Sequence, residues 1–277
     1  MPTPLEKSIA FRALHERPGA FVIPNPWDAG TAKLFASLGF EALATTSLGL
    51  ANMLGRKDST VSLDEILDNC REIAAATPLP VNADLENCGG DAPELAAKAI
   101  AMAAEAGASG GSIEDFTGDR NNPIYDFTLA VERVQAAVEA ARALKVPFLL
   151  TARAENLIVG YPDRLDDTIR RLQAYEAAGA DVLYAPGLRD IETIRTVCTA
   201  VTRPVNLVMT YGDPKLTVDD LAAAGVKRIS VGGSVSRWLL TQFLKAAREM
   251  KAGGFTFVPD AMGSREFREA FAKGEGR

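Results

Sequence analysis

The chain has 277 residues, 47% of them hydrophobic, and a formal net charge of −6. That is enough apolar material for one large core, and both signs of charge are spread along the chain without a basic cluster or basic–aromatic stripe, which argues against nucleic acid as a partner. No run reaches membrane-spanning length and no signal peptide is recognisable, so a cytoplasmic protein without a membrane partner is expected.

Strand and helix signals alternate from the start. A polar opening leads into a short helix that carries His15, the only histidine. Residues 21–25 read as a first strand, and a helix over 28–38 stops at Gly39. Residues 42–47 read as strand two. Ser62 caps a helix over 62–76, and Glu65 completes a capping box. Strand three covers 80–86, followed by a helix over 93–106 that stops at Gly107. Strand four is 111–115. The helix over 127–144 puts Ala130, Val134, Ala137, Val138 and Ala141 on one face. Strand five is 147–153, then a helix over 165–178 stops at Gly179. Strand six is 181–185, with a short helix over 191–200. Strand seven is 204–209, with a helix over 218–224 that stops at Gly225. Strand eight is 228–231, and its helix runs through Met250. Ala-Gly-Ala or Ala-Gly-Val precedes three strands, at 106–108, 178–180 and 224–226, where glycine supplies a left-handed helix stop.

Eight β-α units after an N-terminal helix predict an α/β fold, the (β/α)₈ barrel, as a single domain over 1–277. A doubly wound open sheet fits less well, because no Gly-x-Gly-x-x-Gly turn follows strand one. Residues 253–277 are surplus to the barrel. They hold an apolar piece, Phe255-Thr256-Phe257-Val258-Pro259, and then a polar helix, and are expected to pack on a neighbouring subunit.

Two consecutive strands end in acid: Val81-Asn82-Ala83-Asp84-Leu85-Glu86 and Ser112-Ile113-Glu114-Asp115. Neighbouring parallel strands would bring Asp84, Glu86, Glu114 and Asp115 together at the barrel mouth. Clustered carboxylates repel unless a cation sits among them, and a hard, oxygen-seeking ion such as Mg²⁺ suits them. The plainer reading is helix caps and first-turn acids. The other strand ends add Asn25, Trp27, Thr46, Ser47, Gly49, Arg153, Glu155, Tyr184, Asn206 and Gly232-Gly233-Ser234. Arg153 offers a planar fork for a carboxylate or phosphate, or else a salt bridge that holds the mouth together. Thr46 and Ser47 could hold a substrate carboxylate. Gly-Gly-Ser after strand eight suggests either a phosphate cradle or a tight turn. Cys70, Cys88 and Cys198 have no metal spacing, and only Cys88, beside the acidic strand end, is a candidate for direct chemistry. With one histidine, placed before the first strand, a Ser-His-Asp mechanism and a histidine-rich zinc site are not expected.

These residues, in this order, resemble the isocitrate lyase/phosphoenolpyruvate mutase superfamily. The carriers are Pro24-Asn25-Pro26-Trp27-Asp28-Ala29, Ala44-Thr45-Thr46-Ser47-Leu48-Gly49, Gly55-Arg56-Lys57-Asp58, Val81-Asn82-Ala83-Asp84, Ile113-Glu114-Asp115 and Thr151-Ala152-Arg153-Ala154-Glu155, spread over residues 20–240. The resemblance implies a Mg²⁺-dependent barrel, with Mn²⁺ a possible substitute, that makes or breaks a C–C or P–C bond next to an α-oxo acid. It implies a metal held by Asp84 with Glu114 or Glu86, and Asn82 standing where many members carry a further aspartate. Arg153 is implied on the oxo-carboxylate unit, Thr46 and Ser47 in the carboxylate loop, Trp27 beside it, and Asp58 in the active-site loop after strand two. A homotetramer or homodimer with an exchanged C-terminal helix is also implied.

The chain departs from the family's lyases after strand four. Where they carry Lys-Lys-Cys-Gly-His, this chain has Phe116-Thr117-Gly118-Asp119-Arg120-Asn121-Asn122-Pro123. Cleavage of isocitrate through that cysteine is therefore not expected. The expected catalyst is a Mg²⁺-dependent lyase that cleaves a C–C bond beside an α-oxo acid, oxaloacetate decarboxylase-like or 2-methylisocitrate lyase-like. Asp58, Glu114 and Arg153 are its catalytic candidates, and Trp27, Thr46, Ser47, Gly49, Arg153 and Asn206 its substrate-binding candidates. The alternatives are a phosphonomutase or phosphonopyruvate hydrolase and, in another class, a non-catalytic metabolite-binding barrel.

Overall fold

A computed structural model describes residues 1–160 and 164–276. The helix α1 (Pro4–Glu16) opens the chain on a Thr3/Glu6 capping box. Eight parallel strands follow: β1 (Phe21–Ile23), β2 (Leu43–Ala44), β3 (Val81–Asp84), β4 (Gly110–Glu114), β5 (Leu149–Arg153), β6 (Val182–Tyr184), β7 (Val205–Val208) and β8 (Val226–Ser230). They lie in the order β1-β8-β7-β6-β5-β4-β3-β2. The Ala44 amide donates to the Pro24 carbonyl at 3.0 Å and ties β2 to the end of β1, so the sheet comes round on itself as the barrel the sequence predicts.

The helices between strands are α2 (Ala29–Ser37), α3 (Ser47–Met53), α4 (Leu63–Ala76), α5 (Pro93–Glu105), α6 (Phe127–Ala143), α7 (Asn156–Val159), α8 (Arg164–Ala177), α9 (Ile191–Thr199) and α10 (Val218–Ala223). Their apolar stripes pack on the outer barrel wall, where Leu43, Val81, Ala83, Ile113, Leu150, Ala152 and Leu183 are nearly inaccessible. Gly107, Gly179 and Gly225 take φ of 93°, 101° and 99°, the left-handed stops expected before β4, β6 and β8.

One segment differs from the expectation. Strand two is shorter than 42–47, because Thr46 is the N-cap of α3: its hydroxyl accepts from the Gly49 amide at 3.2 Å. At the other end, α11 (Ser234–Lys251) follows β8 but has only Ser236 buried, and Trp238 and Phe243 are each 63% exposed. The surplus tail contains α12 (Ser264–Gly274), which packs on α2 of its own chain. Gly274 approaches so closely that a Cβ there would stand 2.1 Å from the Lys33 carbonyl oxygen, and Glu275 pairs with Lys33. Within the single chain α12 therefore lies on α2, and exposed apolar side chains remain both on α11 and in the tail, at Phe255, Val258 and Met262. No helix among the described residues is long and apolar enough to cross a membrane.

Candidate active site

A cavity of about 1280 Å³ opens at the C-terminal ends of the strands, the end where barrels of this kind place their chemistry. Arg153, at the end of β5, stands at its centre. Its Nη1 donates to Asp84 Oδ1 at 2.8 Å, its Nη2 lies 3.1 Å from Glu114 Oε2, and its Nε donates to Glu155 Oε1 at 2.8 Å. The Tyr184 ring lies against the guanidinium at 4.9 Å. Burial works against this charge, but Glu114, Glu155 and Asp84 more than offset it and hold the guanidinium above its ordinary range. Register explains the convergence: Glu114 pairs with Arg153 across β4–β5, and Arg153 with Tyr184 across β5–β6.

The acids differ in their surroundings. Asp84 Oδ2 accepts from the Ser47 amide and hydroxyl, each at 3.1 Å, so the start of α3 is aimed at this carboxylate. Burial, opposed by Arg153, raises the Glu114 carboxyl well above the usual range. Glu86 has a φ of 48°, an uncommon value for a side chain of this kind. Burial first, then the charges of Asp84 and Asp58, push its carboxyl up to about 7. Asp58 stands at the rim, open to solvent on one side, and partial burial followed by Asp84 raises its carboxyl.

Asp115 departs from the expected cluster. Side chains alternate along a strand, so Glu114 points into the barrel and Asp115 out of it. Outside, Asp115 accepts from Arg171 Nη1 at 3.1 Å, the Tyr175 hydroxyl at 2.6 Å and the Glu155 amide at 2.8 Å. It ties the mouth of β4 and β5 to α8 and does not line the cavity. Trp27 and Gly49 also lie behind the wall. Trp27 is 4% exposed, and a Cβ on Gly49 would stand 3.1 Å from the Trp27 Cβ and 2.5 Å from Thr46 Cγ2. These two shape the turn that presents Thr46 and Ser47, and both of those residues line the cavity.

Cys88 is buried and does not line the cavity, and burial pushes its thiol up to about 12, the setting of an unreactive thiol. The Gly232 turn is not a vacant phosphate cradle: Asn25 Oδ1 already accepts from the Val231 and Gly232 amides at 2.9 and 2.8 Å. Asn206 lines the floor with its side chain engaged, accepting from Arg228 Nε at 2.7 Å and donating to Ser230 Oγ at 3.1 Å.

Arg228 is the site residue that sequence reasoning missed. It is 3% exposed and reaches from β8 across the barrel, where Nη2 donates to Thr151 Oγ1 of β5 at 3.0 Å. Below it, His15 Nδ1 lies 2.8 Å from the Phe11 carbonyl, and a carbonyl only accepts, so Nδ1 carries the proton. His15 Nε2 is then left as an acceptor, 3.5 Å from Arg228 Nη1. The available signal was an arginine in phase with Ser230 along β8, which puts both on the inner side of the barrel.

Among the described residues, no three Cys, His, Asp or Glu side chains are already grouped as a metal cage. Mg²⁺ rarely asks for one, since it takes one or two carboxylates and completes its shell with water and substrate. The donors fit such an ion. Asp84, Glu86, Glu114 and Asp58 line one side of the cavity, and burial, followed by the charge of Asp84, pushes the Glu86 carboxyl up to about 7.

The chain is thus a (β/α)₈ barrel with a carboxylate-ringed arginine at its C-terminal mouth. The chain belongs to the phosphoenolpyruvate phosphomutase family, whose model matches residues 11–251, and so to the isocitrate lyase/phosphoenolpyruvate mutase superfamily of lyases and mutases. It is similar to a Burkholderia cenocepacia J2315 crystal structure provisionally described as a lyase/mutase, with 56% identity, 97% of each chain covered and a TM-score of 0.94. It is 30% identical to 2-methylisocitrate lyase of Escherichia coli, over 78% of this chain and 75% of the relative. It is also 30% identical to oxaloacetate decarboxylase of Pseudomonas savastanoi pv. phaseolicola, over 81% and 77%. A phosphonopyruvate hydrolase solved with oxalate and Mg²⁺ matches at 25% identity over 96% and 95%, with a TM-score of 0.85.

Proposed function

We propose that the protein is a Mg²⁺-dependent lyase that cleaves a C–C bond next to an α-oxo acid. The observation that carries this reading is Arg153 held among Asp84, Glu114 and Glu155 at the barrel mouth. A guanidinium fixed on several sides presents its remaining N–H groups in a set direction, suited to a substrate carboxylate or oxo oxygen. Asp84, with Glu86 or Glu114, is the set that would hold Mg²⁺, and Mn²⁺ suits the same oxygens. When bound, the ion supplies positive charge for the enolate that develops as the bond breaks.

The chain's own residues then divide the work. Ser47 fixes the orientation of Asp84 through two hydrogen bonds. Arg153 grips the acid and sets the angle of the breaking bond. Asp58 stands at the rim within the electrostatic reach of Asp84. The stretch 116–123 closes on itself through the Thr117 amide and the Pro123 carbonyl at 3.0 Å, and it places Phe116, Gly118, Arg120 and Pro123 on the cavity. It is suited to serve as a lid that excludes water from the enolate. Decarboxylation suits a site of this kind, because carbon dioxide leaves without a protein base. The test is release of pyruvate from oxaloacetate and 2-methylisocitrate, with and without EDTA. Turnover that EDTA does not affect would overturn the metal assignment.

A second reading, P–C bond cleavage, draws on the phosphonopyruvate hydrolase relative and on Arg120 at the cavity. Phosphonopyruvate in the same assay decides between them. Metal-dependent binding of all three acids without turnover would point instead to a metabolite-binding barrel. We propose further that the protein is a homodimer or homotetramer in which the apolar face of α11 is covered by a second copy; sedimentation as a monomer at micromolar concentration would refute it.

A further inference from the structure

The two sides of the cavity have different chemistry, and strand order sets the division. The acids Asp58, Asp84, Glu86 and Glu114 come from β2, β3 and β4 and the segments that follow them. Arg153 on β5 marks the boundary. On the far side, β7 and the segments after β5, β6 and β7 contribute an apolar stretch to the cavity, Leu157, Ile158, Pro186, Val208 and Tyr211, bordered by the charged side chains of Glu155, Arg164 and Arg189. This apolar wall is built, not incidental. The helix α7 that carries Leu157 and Ile158 is held from behind by Asn156, whose Oδ1 accepts from Thr168 Oγ1 at 2.8 Å. The turn beside Pro186 comes close to α7 because residue 187 is glycine. A Cβ there would lie 2.8 Å from Ile158 Cγ2 and 3.0 Å from the Leu157 Cβ, and Gly187 has a φ of 101°. Even so, Ile158 remains 37% exposed, a large aliphatic side chain on the lining of the cavity.

We infer that this wall receives an alkyl substituent on the carbon next to the oxo group, so that the preferred substrate is a branched α-oxo acid and not oxaloacetate itself. The inference rests on the proposed reading of the cavity as an α-oxo acid site. With the oxo-carboxylate end of the substrate on the acidic side and at Arg153, the rest of the molecule extends towards β5–β7. A plain methylene at that carbon leaves the wall wet, whereas a methyl or ethyl group displaces water from Ile158 and its neighbours. For a 3-alkyl oxaloacetate the chemistry balances as for oxaloacetate. The C3–C4 bond breaks, C4 leaves as carbon dioxide, the electron pair forms the enolate, and a solvent proton added at C3 yields the alkylated 2-oxo acid.

The experiment compares oxaloacetate with 3-methyl- and 3-ethyl-oxaloacetate in the Mg²⁺-loaded protein, with each 2-oxo acid product read by NMR. In parallel, calorimetry measures Mg²⁺-dependent binding of pyruvate, 2-oxobutanoate and 2-oxopentanoate. One methyl group in an apolar pocket gives on the order of tenfold or more in kcat/KM, so the 3-methyl substrate should exceed oxaloacetate by about that factor. In the variant Ile158→Asn this ratio should collapse towards unity, and the binding series should flatten with it. Equal or better turnover of oxaloacetate overturns the inference and leaves the lyase reading intact. If no acid is turned over, the lyase reading fails and the binding series alone decides. Affinity that rises with alkyl length and falls in Ile158→Asn supports the wall, and affinity independent of alkyl length overturns it.

Discussion

Replacing Glu86 with glutamine tests the electrostatics of the site without any substrate. In the metal-free protein the Glu86 carboxyl lies at about 7, against an ordinary value of 4.5. A folded-state pKa above the unfolded one means that the native protein binds more protons between those values, so stability is full below the lower value and declines as pH rises through the window. The separation is about 2.5 units, and each unit corresponds to about 1.36 kcal/mol, so ionised Glu86 costs the fold roughly 3 kcal/mol at pH 8. Glutamine keeps the size of the side chain and removes that charge. In EDTA at pH 8, Glu86→Gln should therefore raise the melting temperature by roughly 5–10 °C for a chain of this size. At pH 5 the two proteins should differ by only about 1 kcal/mol or less, because Glu86 is then mostly protonated in the fold. Thermal unfolding at both pH values, with and without Mg²⁺, reads this directly. Added Mg²⁺ should stabilise the wild type at pH 8 more than the variant. A variant no more stable than the wild type at pH 8, or a difference independent of pH, would refute the account of Glu86 as an under-compensated acid.

Other substitutions separate metal, substrate and lid. Asp84→Ala should abolish metal-dependent turnover, and unchanged activity would remove Asp84 from the metal site. Arg153→Lys keeps the charge and loses the fork, so kcat/KM should fall by an amount equivalent to about 1.5–3 kcal/mol, the scale of a hydrogen bond to a charged group; equal values would make Arg153 a structural residue. Limited proteolysis of the metal-free protein should cut within 116–123, and Mg²⁺ with oxalate should protect it. Cleavage that ligand does not affect would count against a lid. Isocitrate should be cleaved negligibly, as measured by glyoxylate release, because this stretch carries neither cysteine nor histidine.

Much of the fold was readable because its signals are local. Gly107, Gly179 and Gly225 stop helices by adopting a backbone shape that other residues resist, and Ser62 with Glu65 announces the start of α4. The outward turn of Asp115 was also readable, since alternation along β4 puts it opposite Glu114. Collecting all the carboxylates at a strand end ignored that parity. The end of β2 was not local in this sense. Residues 42–47 are small, apolar or hydroxylated and suit an extended strand, and Thr46 becomes a cap only because its hydroxyl meets the Gly49 amide. The role of Arg228 depends on partners from α1, β5 and β7, far apart in the chain, so no window of sequence contains it. The left-handed Glu86 is a further case. Arg133 of α6 pins the loop that follows it by donating to the carbonyls of Asn87, Gly90 and Asp91, more than 40 residues away.

The floor of the barrel bears on the chemistry at its mouth. Burial and then Arg228 lower His15 to about 3, so it stays neutral, and its ring packs edge-on to Phe11 and Phe21 below the floor. The one histidine is therefore a structural acceptor at the end of the barrel opposite the cavity mouth. Arg228 stays charged, though burial lowers it to about 10. It meets neutral acceptors at Asn206, Thr151 and His15, and among the described residues no carboxylate forms an ion pair with it. Burial raises the phenols of Tyr184 and Tyr211, so both keep their protons at neutral pH. That leaves a site whose phenols stay neutral and whose lining cations are Lys57 and several arginines, Arg153 and Arg228 among them. Burial and then the charge of Asp84 push the Glu86 carboxyl up to about 7, so its protonation changes near neutrality. Any cation placed beside Asp84 would lower Glu86 and release its proton, so ion binding and proton release at this mouth are coupled through the same pair of carboxylates.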